Sequence, residues 1–169
     1  GSEMCIRDSV MSASYAKPVL LDQIKQLVDQ VRVFGEIDST NDEARRTIMS
    51  GFTGSSLIIA NTQNLGRGRR GRKWVSPAGG IYMSLTLPLH ESLTQPQALS
   101  LVSAISVKQS LESWSQVPIK LKWPNDLLVE GKKLAGILLE LQTSEPMDHI
   151  VFGVGINYSC LLYTSDAAD

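Results

Sequence analysis

Cysteine is nearly missing from this chain: of 169 residues only Cys5 and Cys160 carry thiols, and they sit near opposite ends. That placement suggests neither a disulfide framework nor a zinc site, so thiol chemistry is set aside. Long hydrophobic runs are missing too, since no stretch approaches the roughly 20 apolar residues that a membrane-crossing helix needs. Nor does a charged-then-apolar leader open the sequence, and a cytoplasmic location is the expectation. An excess of either charge is also lacking, with 16 basic against 17 acidic residues and a formal net charge of -1. What remains, 43% hydrophobic and 20% charged, suits one globular domain with a real core.

The two ends read differently from the rest. Gly1–Ser9 (GSEMCIRDS) and Cys160–Asp169 (CLLYTSDAAD) resemble translated adapter sequence. Residues 1–16 are therefore expected to be an artefactual or disordered leader, 17–159 the folded domain and 160–169 a foreign tail. Without those two stretches 15 basic residues face 13 acidic ones, and five of the basic ones crowd into Arg67–Lys73. A near-neutral total argues against a dedicated nucleic-acid binder, so the clue is local charge.

Apolar spacing predicts a short amphipathic helix over Val19–Asp29, carried by Leu20, Leu21, Ile24, Leu27 and Val28. A strand is expected at Val31–Ile37. Thr40 with Glu43 offers a capping box for a helix that Gly51 ends. Leu57–Ala60 reads as a short strand. Ile81, Met83, Leu85 and Leu87 alternate with Tyr82, Ser84 and Thr86 in a half-buried one. Thr94 and Gln97 offer a second capping box before Ala98–Trp114, apolar on most faces and expected to be a buried helix. Ile119, Leu121 and Trp123 alternate with Lys120 and Lys122, which places the lysines on one strand face and the apolar three on the other. Leu127–Val129, Leu134–Leu141 and Ile150–Tyr158 complete a meander, with turns at Glu130-Gly131 and Thr143–Asp148. The sum is an α+β domain on a mixed sheet.

Gly66–Lys73 (GRGRRGRK) contains a G-x-G-x-x-G after a strand, the pattern of a dinucleotide-binding turn. The neighbouring residues exclude that reading. Trp74–Gly80 is turn-rich and cannot continue the helix the motif requires. The segment does offer backbone amides opened by glycine and interleaved with planar guanidinium forks, a combination suited to phosphate or carboxylate oxygens. A solvated basic turn or a nucleic-acid patch is the competing reading. Mutually repelling arginines predict that the loop orders on binding an anion. Lys122, at a strand end beside the rigid Pro124-Asn125-Asp126 turn, is a fixed ammonium of the kind that steadies charge on a phosphoryl group. Lys120 reads as solvated.

Five motifs occur together: Asp38-Ser39-Thr40-Asn41, Gln63 with Gly66–Trp74 (GRGRRGRKW), Lys122–Asp126 (KWPND), Lys133–Leu138 (KLAGIL) and Gly153–Asn157 (GVGIN). In this order they resemble the biotin protein ligase family over about Lys17–Ser159. The resemblance implies a mixed, largely antiparallel sheet flanked by helices, the class II aminoacyl-tRNA synthetase-like core of biotin and lipoate ligases. It implies that Ser39, Thr40, Asn41 and Gln63 line a pocket for the fused rings of biotin, whose ureido group needs both donors and acceptors. It implies that Arg67, Gly68 and Arg69 close over the biotin carboxylate, and that Gly66, Arg67, Gly68, Arg69, Arg70, Arg72, Lys122 and Asn125 meet ATP or the adenylate. Lys122 and Arg69 match the catalytic positions, with Lys122 also touching biotin. Gly136–Leu138 and Gly153–Gly155 would wall the ligand's apolar chain, or serve as ordinary core strand. Trp74 would cover the ligand or simply pack, and Thr40 can cap its helix as well as contact ligand.

The activity so implied is attack of biotin carboxylate on the α-phosphorus of ATP, giving biotinyl-5′-AMP and pyrophosphate, then transfer to a lysine of a biotin carboxyl-carrier protein, an acetyl-CoA carboxylase subunit. Magnesium would neutralise pyrophosphate, with Asp126 either a candidate ligand or a turn-forming aspartate. ATP and biotin enter as substrates, with no prosthetic group, no membrane and no DNA partner expected. Relatives of this kind run on past the equivalent of Asn157, adding an aromatic residue that stacks on adenine. The rival readings are a lipoate or octanoate ligase or transferase of the same superfamily and a nucleic-acid-binding module using the basic loop.

Overall fold

A computed structural model describes residues 23–89, 96–115 and 117–158. The seven strands are β1 (Gln30–Ile37), β2 (Ser56–Gln63), β3 (Ile81–Pro88), β4 (Lys120–Lys122), β5 (Asp126–Val129), β6 (Lys132–Gln142) and β7 (His149–Ile156). Helix α1 (Thr40–Met49) lies between β1 and β2, and α2 (Pro96–Glu112) between β3 and β4. All strands join one sheet in the order β1-β2-β3-β7-β6-β5-β4. Only β1 and β2 run parallel, as expected of two strands joined through a helix; the other neighbours are antiparallel. The β5–β6 hairpin turns through Glu130 and Gly131, both at positive φ (50° and 78°), the geometry a two-residue turn needs to match strand twist.

Each helix covers a different face. Ala44 and Ile48 of α1 pack with Ile58 and Val151; Ala104 of α2 packs with Ile119, Leu127, Val129, Leu134, Ala135, Ile137 and Ile156. Each Ile, Leu or Val among them contributes roughly 1.5–3 kcal/mol by leaving water, the alanines less, and these two clusters hold the sheet between the helices. Among the described residues no helix is long and apolar enough to cross a membrane.

Several expectations need correction. Of the predicted helix over Val19–Asp29, residues 19–22 lie outside the described ones; Gln23–Lys25 is helical, and Leu27, expected on a buried face, is exposed. Ser39, not Thr40, caps α1: its side chain accepts from the Asp42 amide at 3.4 Å, and Thr40 is already helical. The Glu43 carboxylate turns instead to Arg46 and Arg32. Gly51, at φ 92°, does end the helix in the left-handed region. Helix α2 is not buried all round, because only one stripe meets the sheet; Val102 and Ile105 face outward. Thr94 of its predicted capping box lies outside the described residues.

In β3, which the alternation marks as half-buried, the polar side is the inner one. Tyr82, Ser84 and Thr86 are the buried residues, while Ile81 is exposed and Met83 and Leu85 are half-buried. The polar side faces α1, whose first turn is itself polar, and hydrogen bonds between the two compensate the desolvation. Trp123 also departs from its expected face, since β4 stops at Lys122 and the following turn leaves the indole exposed.

Candidate active site

The α1 face carries the candidate chemistry. In a pleated sheet, directly paired residues on neighbouring strands share a face. One such row runs Lys122–Asp126–Gly136–Gly155–Tyr82–Ala60, and the next includes Leu138, Gly153, Ser84 and Ile58. Ser84 reaches Thr40 and Asn41 at the start of α1, which identifies this side as the α1 face. Lys122 therefore projects from the same side of the sheet as Ser39, Thr40 and Asn41.

Around the start of α1 the side chains form a closed polar network. Asn41 accepts from Ser84 Oγ at 2.6 Å and donates to Glu140 Oε2 at 2.7 Å. Gln63 Oε1 accepts from the Thr40 amide at 2.7 Å and from Thr40 Oγ1 at 3.1 Å, while its Nε2 donates to Ser76 Oγ at 2.8 Å. Ser39, Thr40, Asn41, Ser76 and Ser84 are all buried. Four of the sequence-derived residues, Ser39, Thr40, Asn41 and Gln63, thus meet in one place, joined by Ser76, Ser84 and Glu140, which sequence reasoning missed. The one signal for Glu140 was a lone charge inside the apolar run of β6.

Asp38 braces this region from outside. Arg46 donates to both its carboxylate oxygens at 2.8 Å, and these bonds hold Asp38 well below the usual carboxylate range, at about 2. The same contacts, with Glu43, push the Arg46 guanidinium upward.

The basic loop folds as a small hairpin. Gly68 donates its amide to Arg72 O at 2.7 Å and Trp74 donates to Gly66 O at 2.8 Å. Arg70 (φ 56°) and Gly71 (φ 74°) form its tip. Arg69 Nη1 donates to Asn125 Oδ1 at 2.9 Å, which brings the loop to the turn that follows Lys122; Asn125 in turn donates to Ile137 O at 2.9 Å. Arg67 points elsewhere, bonded to Glu140 and 3.2 Å from Asp42. Arg70, Arg72 and Lys73 are exposed. Lys122 is half-buried and has no counter-charge or side-chain hydrogen bond among the described residues. An unpaired ammonium of this kind, at the end of β4, is open to an added anion.

Trp74 returns the loop to the sheet. An added Cβ at Gly155 would stand 2.5 Å from Trp74 Cε2, and one at Gly136 2.8 Å from Cζ3, so the indole lies on a floor made by this paired glycine couple. Gly153 plays the same part for Asn41, whose Oδ1 would be 2.2 Å from an added Cβ. Lys133 Nζ sits 5.2 Å from the indole centroid and 2.7 Å from Asp126 Oδ2. Asp126 is the first residue of β5, so its role as a turn former is replaced by an ion pair. Among the described residues there is no group of three or more metal-ligating side chains, and Lys133 already neutralises the single candidate carboxylate. Its other oxygen, Oδ1, is buried with no hydrogen-bond partner among the described residues, so one carboxylate oxygen remains for a magnesium ion held mainly by substrate phosphates.

The profile of the Biotin/lipoate A/B protein ligase family matches residues 33–157. The chain is 40% identical over 123 residues to the biotin acetyl-CoA-carboxylase ligase of Paracoccus denitrificans, covering 71% of this chain and 51% of that one. It superposes with TM-score 0.67 on the biotin protein ligase of Aquifex aeolicus in complex with biotin and ATP, at 35% identity over 80% of this chain and 55% of that one. A TM-score of 0.67 also relates it to the Leishmania major biotin protein ligase in complex with biotinyl-5-AMP, at 26% identity over 82% and 61%. The chain spans about half or less of the length of the curated relatives it matches. Its mixed sheet is that of biotin and lipoate ligase catalytic domains, a class II aminoacyl-tRNA synthetase-like fold. With the sheet, the motifs and their placement on one face in agreement, the chain belongs to the biotin/lipoate A/B protein ligase family.

Proposed function

We propose that this chain carries the core of a biotin protein ligase, which activates biotin with ATP to biotinyl-5′-AMP and passes the acyl group to a lysine of a biotin carboxyl-carrier protein. The observation that supports the proposal is that Lys122 and the Ser39–Asn41 cap share one sheet face, with Arg69 bonded to Asn125 in the turn that follows Lys122. Ser39, Thr40, Asn41 and Gln63 supply the alternating donors and acceptors that a ureido ring requires. Gly66 and Gly68 let backbone amides approach the ligand's anionic end, and Arg70 and Arg72 extend the positive field toward ATP. Lys122 and Arg69 act as the catalytic pair.

Adenylation brings two anions together, and their repulsion is the barrier this site lowers. Ammonium and guanidinium groups placed against the shared oxygens stabilise charge that builds only as the carboxylate reaches phosphorus. The carboxylate oxygen bonds to the α-phosphorus, the bond to the pyrophosphate oxygen breaks, and pyrophosphate leaves with its electron pair. A neutral lysine amine of the carrier then attacks the acyl carbon and AMP departs. The loop over the anhydride slows attack by water between the two steps. No step is assigned to Asp126, whose carboxylate is bound to Lys133.

Biotin-dependent ATP–pyrophosphate exchange in the full-length protein tests the proposal. Lys122→Ala and Arg69→Ala are each expected to remove most of the exchange, by about 100-fold or more for loss of a charge-stabilising donor. Normal exchange in both variants refutes the assignment. Lipoate and octanoate, supplied in place of biotin, are expected to support none.

A further inference from the structure

We infer that Glu140 is a positioning residue that ties the biotin-side cap to the root of the basic loop, and that Arg67 serves that tie through its guanidinium rather than binding a ligand anion with it. This rests on the reading of the pocket above. Glu140 stands on β6 on the α1 face, two and four residues beyond Leu138 and Gly136. One of its carboxylate oxygens accepts from Asn41 Nδ2 at 2.7 Å, and the other accepts from Arg67 Nη2. Arg67 Nη1 lies 3.2 Å from Asp42, the residue next to Asn41. The contacts close a ring from α1 through β6 to the loop and back to α1.

The charges in that ring decide what Arg67 does. The Arg67 guanidinium faces two carboxylates, Glu140 and Asp42, and Arg45 also lies 3.7 Å from the same Asp42 oxygen, so the charge of Arg67 is already matched within the protein and offers a ligand anion little net attraction. Among the described residues the other loop cations, Arg69, Arg70, Arg72 and Lys73, have no such pair of acids, and Arg69 bonds to the neutral Asn125. Arg67 is therefore the anchor at the loop's root and Arg69 reaches toward the reacting groups. Asn41 cannot shift without moving a Glu140 oxygen, and Glu140 cannot shift without releasing Arg67. Occupancy of the cap and closure of the loop are thus coupled through one carboxylate.

Hydrogen exchange of the loop peptide, with and without biotin, tests this. The reporting amides are those of Gly68 and Trp74, which hold the hairpin closed. In the ligand-free protein, Glu140→Ala and Arg67→Ala are each expected to speed their exchange about tenfold, as expected for losing a charge-assisted clamp. The double variant is expected to exchange no faster than the faster single one, because both remove the same link. Arg67→Lys, which keeps one ion pair, is expected to recover most of the protection. Biotin affinity should fall about tenfold in Glu140→Ala as well as in Arg67→Ala. Unchanged exchange in Glu140→Ala, or multiplied effects in the double variant, overturns the anchor. A large affinity loss in Arg67→Ala alone, with Glu140→Ala binding normally, also overturns it, since that is the signature of a direct ligand. The ligand-free exchange decides the anchor by itself; failure of every protein, the parent included, to bind biotin sinks the pocket reading instead.

Discussion

Alanine at Gly155 adds one methyl group, and the structure states where it goes. It would lie 2.5 Å from Trp74 Cε2 and 2.6 Å from Nε1, about 1 Å inside the 3.5–4.0 Å of a comfortable carbon contact. Gly155 has no positive φ, so the backbone itself accepts alanine and the nearest obstacle is the indole. Relief requires Trp74 to lift, which opens its contact with Gly136 and with the Lys133 ammonium 5.2 Å away. Overpacking of this kind costs about 1–3 kcal/mol, or roughly 2–10 °C of melting temperature in a domain of this size. Gly35, in β1, is the internal control, because an added Cβ there meets nothing within 4 Å. Gly35→Ala should be neutral or stabilise by up to about 1 kcal/mol through the unfolded chain. The assay is thermal and urea unfolding of both variants, repeated on a Trp74→Ala background, where the Gly155→Ala penalty should vanish. An equal penalty with and without the indole, or a Gly155→Ala protein as stable as Gly35→Ala, refutes the glycine-floor account.

Three further outcomes are expected. The stability that Asp38 contributes is present above its unfolded pKa and is lost as pH falls through its folded value of about 2, so the gap to Asp38→Asn in urea unfolding should be constant at neutral pH and close between about pH 4 and pH 2. Ser84→Ala strips the donor from buried Asn41 Oδ1 and should cost about 1–3 kcal/mol in chemical denaturation, with weaker biotin binding by calorimetry. Biotin and ATP added together should protect the Gly66–Lys73 loop from limited proteolysis; equal cleavage with and without them contradicts closure.

The sequence made the strands and the motif clusters readable because their signals are local. Period-two alternation marked β3, and glycine marked the ends of α1 and the β5–β6 turn. What it concealed depends on neighbours distant in the chain. The alternation of β3 could not say which side was inside, and the polar side won because Ser84 meets Thr40 and Asn41, more than 40 residues away. The apolar sequence of α2 exceeded what one contact stripe could bury. Ser39 displaced Thr40 as the cap by a single residue, the scale on which helix boundaries are least legible. Of the site, Ser39, Thr40, Asn41 and Gln63 were readable as a group, whereas Glu140 gained meaning only once β6 was laid beside α1. The glycines of β6 and β7 read from sequence equally as a wall for a ligand chain or as ordinary core strand, and the structure adds Trp74 as what rests on two of them.

That resting place gives the molecule a native optical reporter. Of its three tryptophans, Trp114 and Trp123 are 87% and 74% exposed, while Trp74 is half-sheltered. A water-borne quencher such as iodide would silence the two outer emitters first, leaving emission dominated by the one indole seated on the sheet beside an ammonium. Loop motion could then be followed in real time by light alone, with no label attached and no side chain replaced.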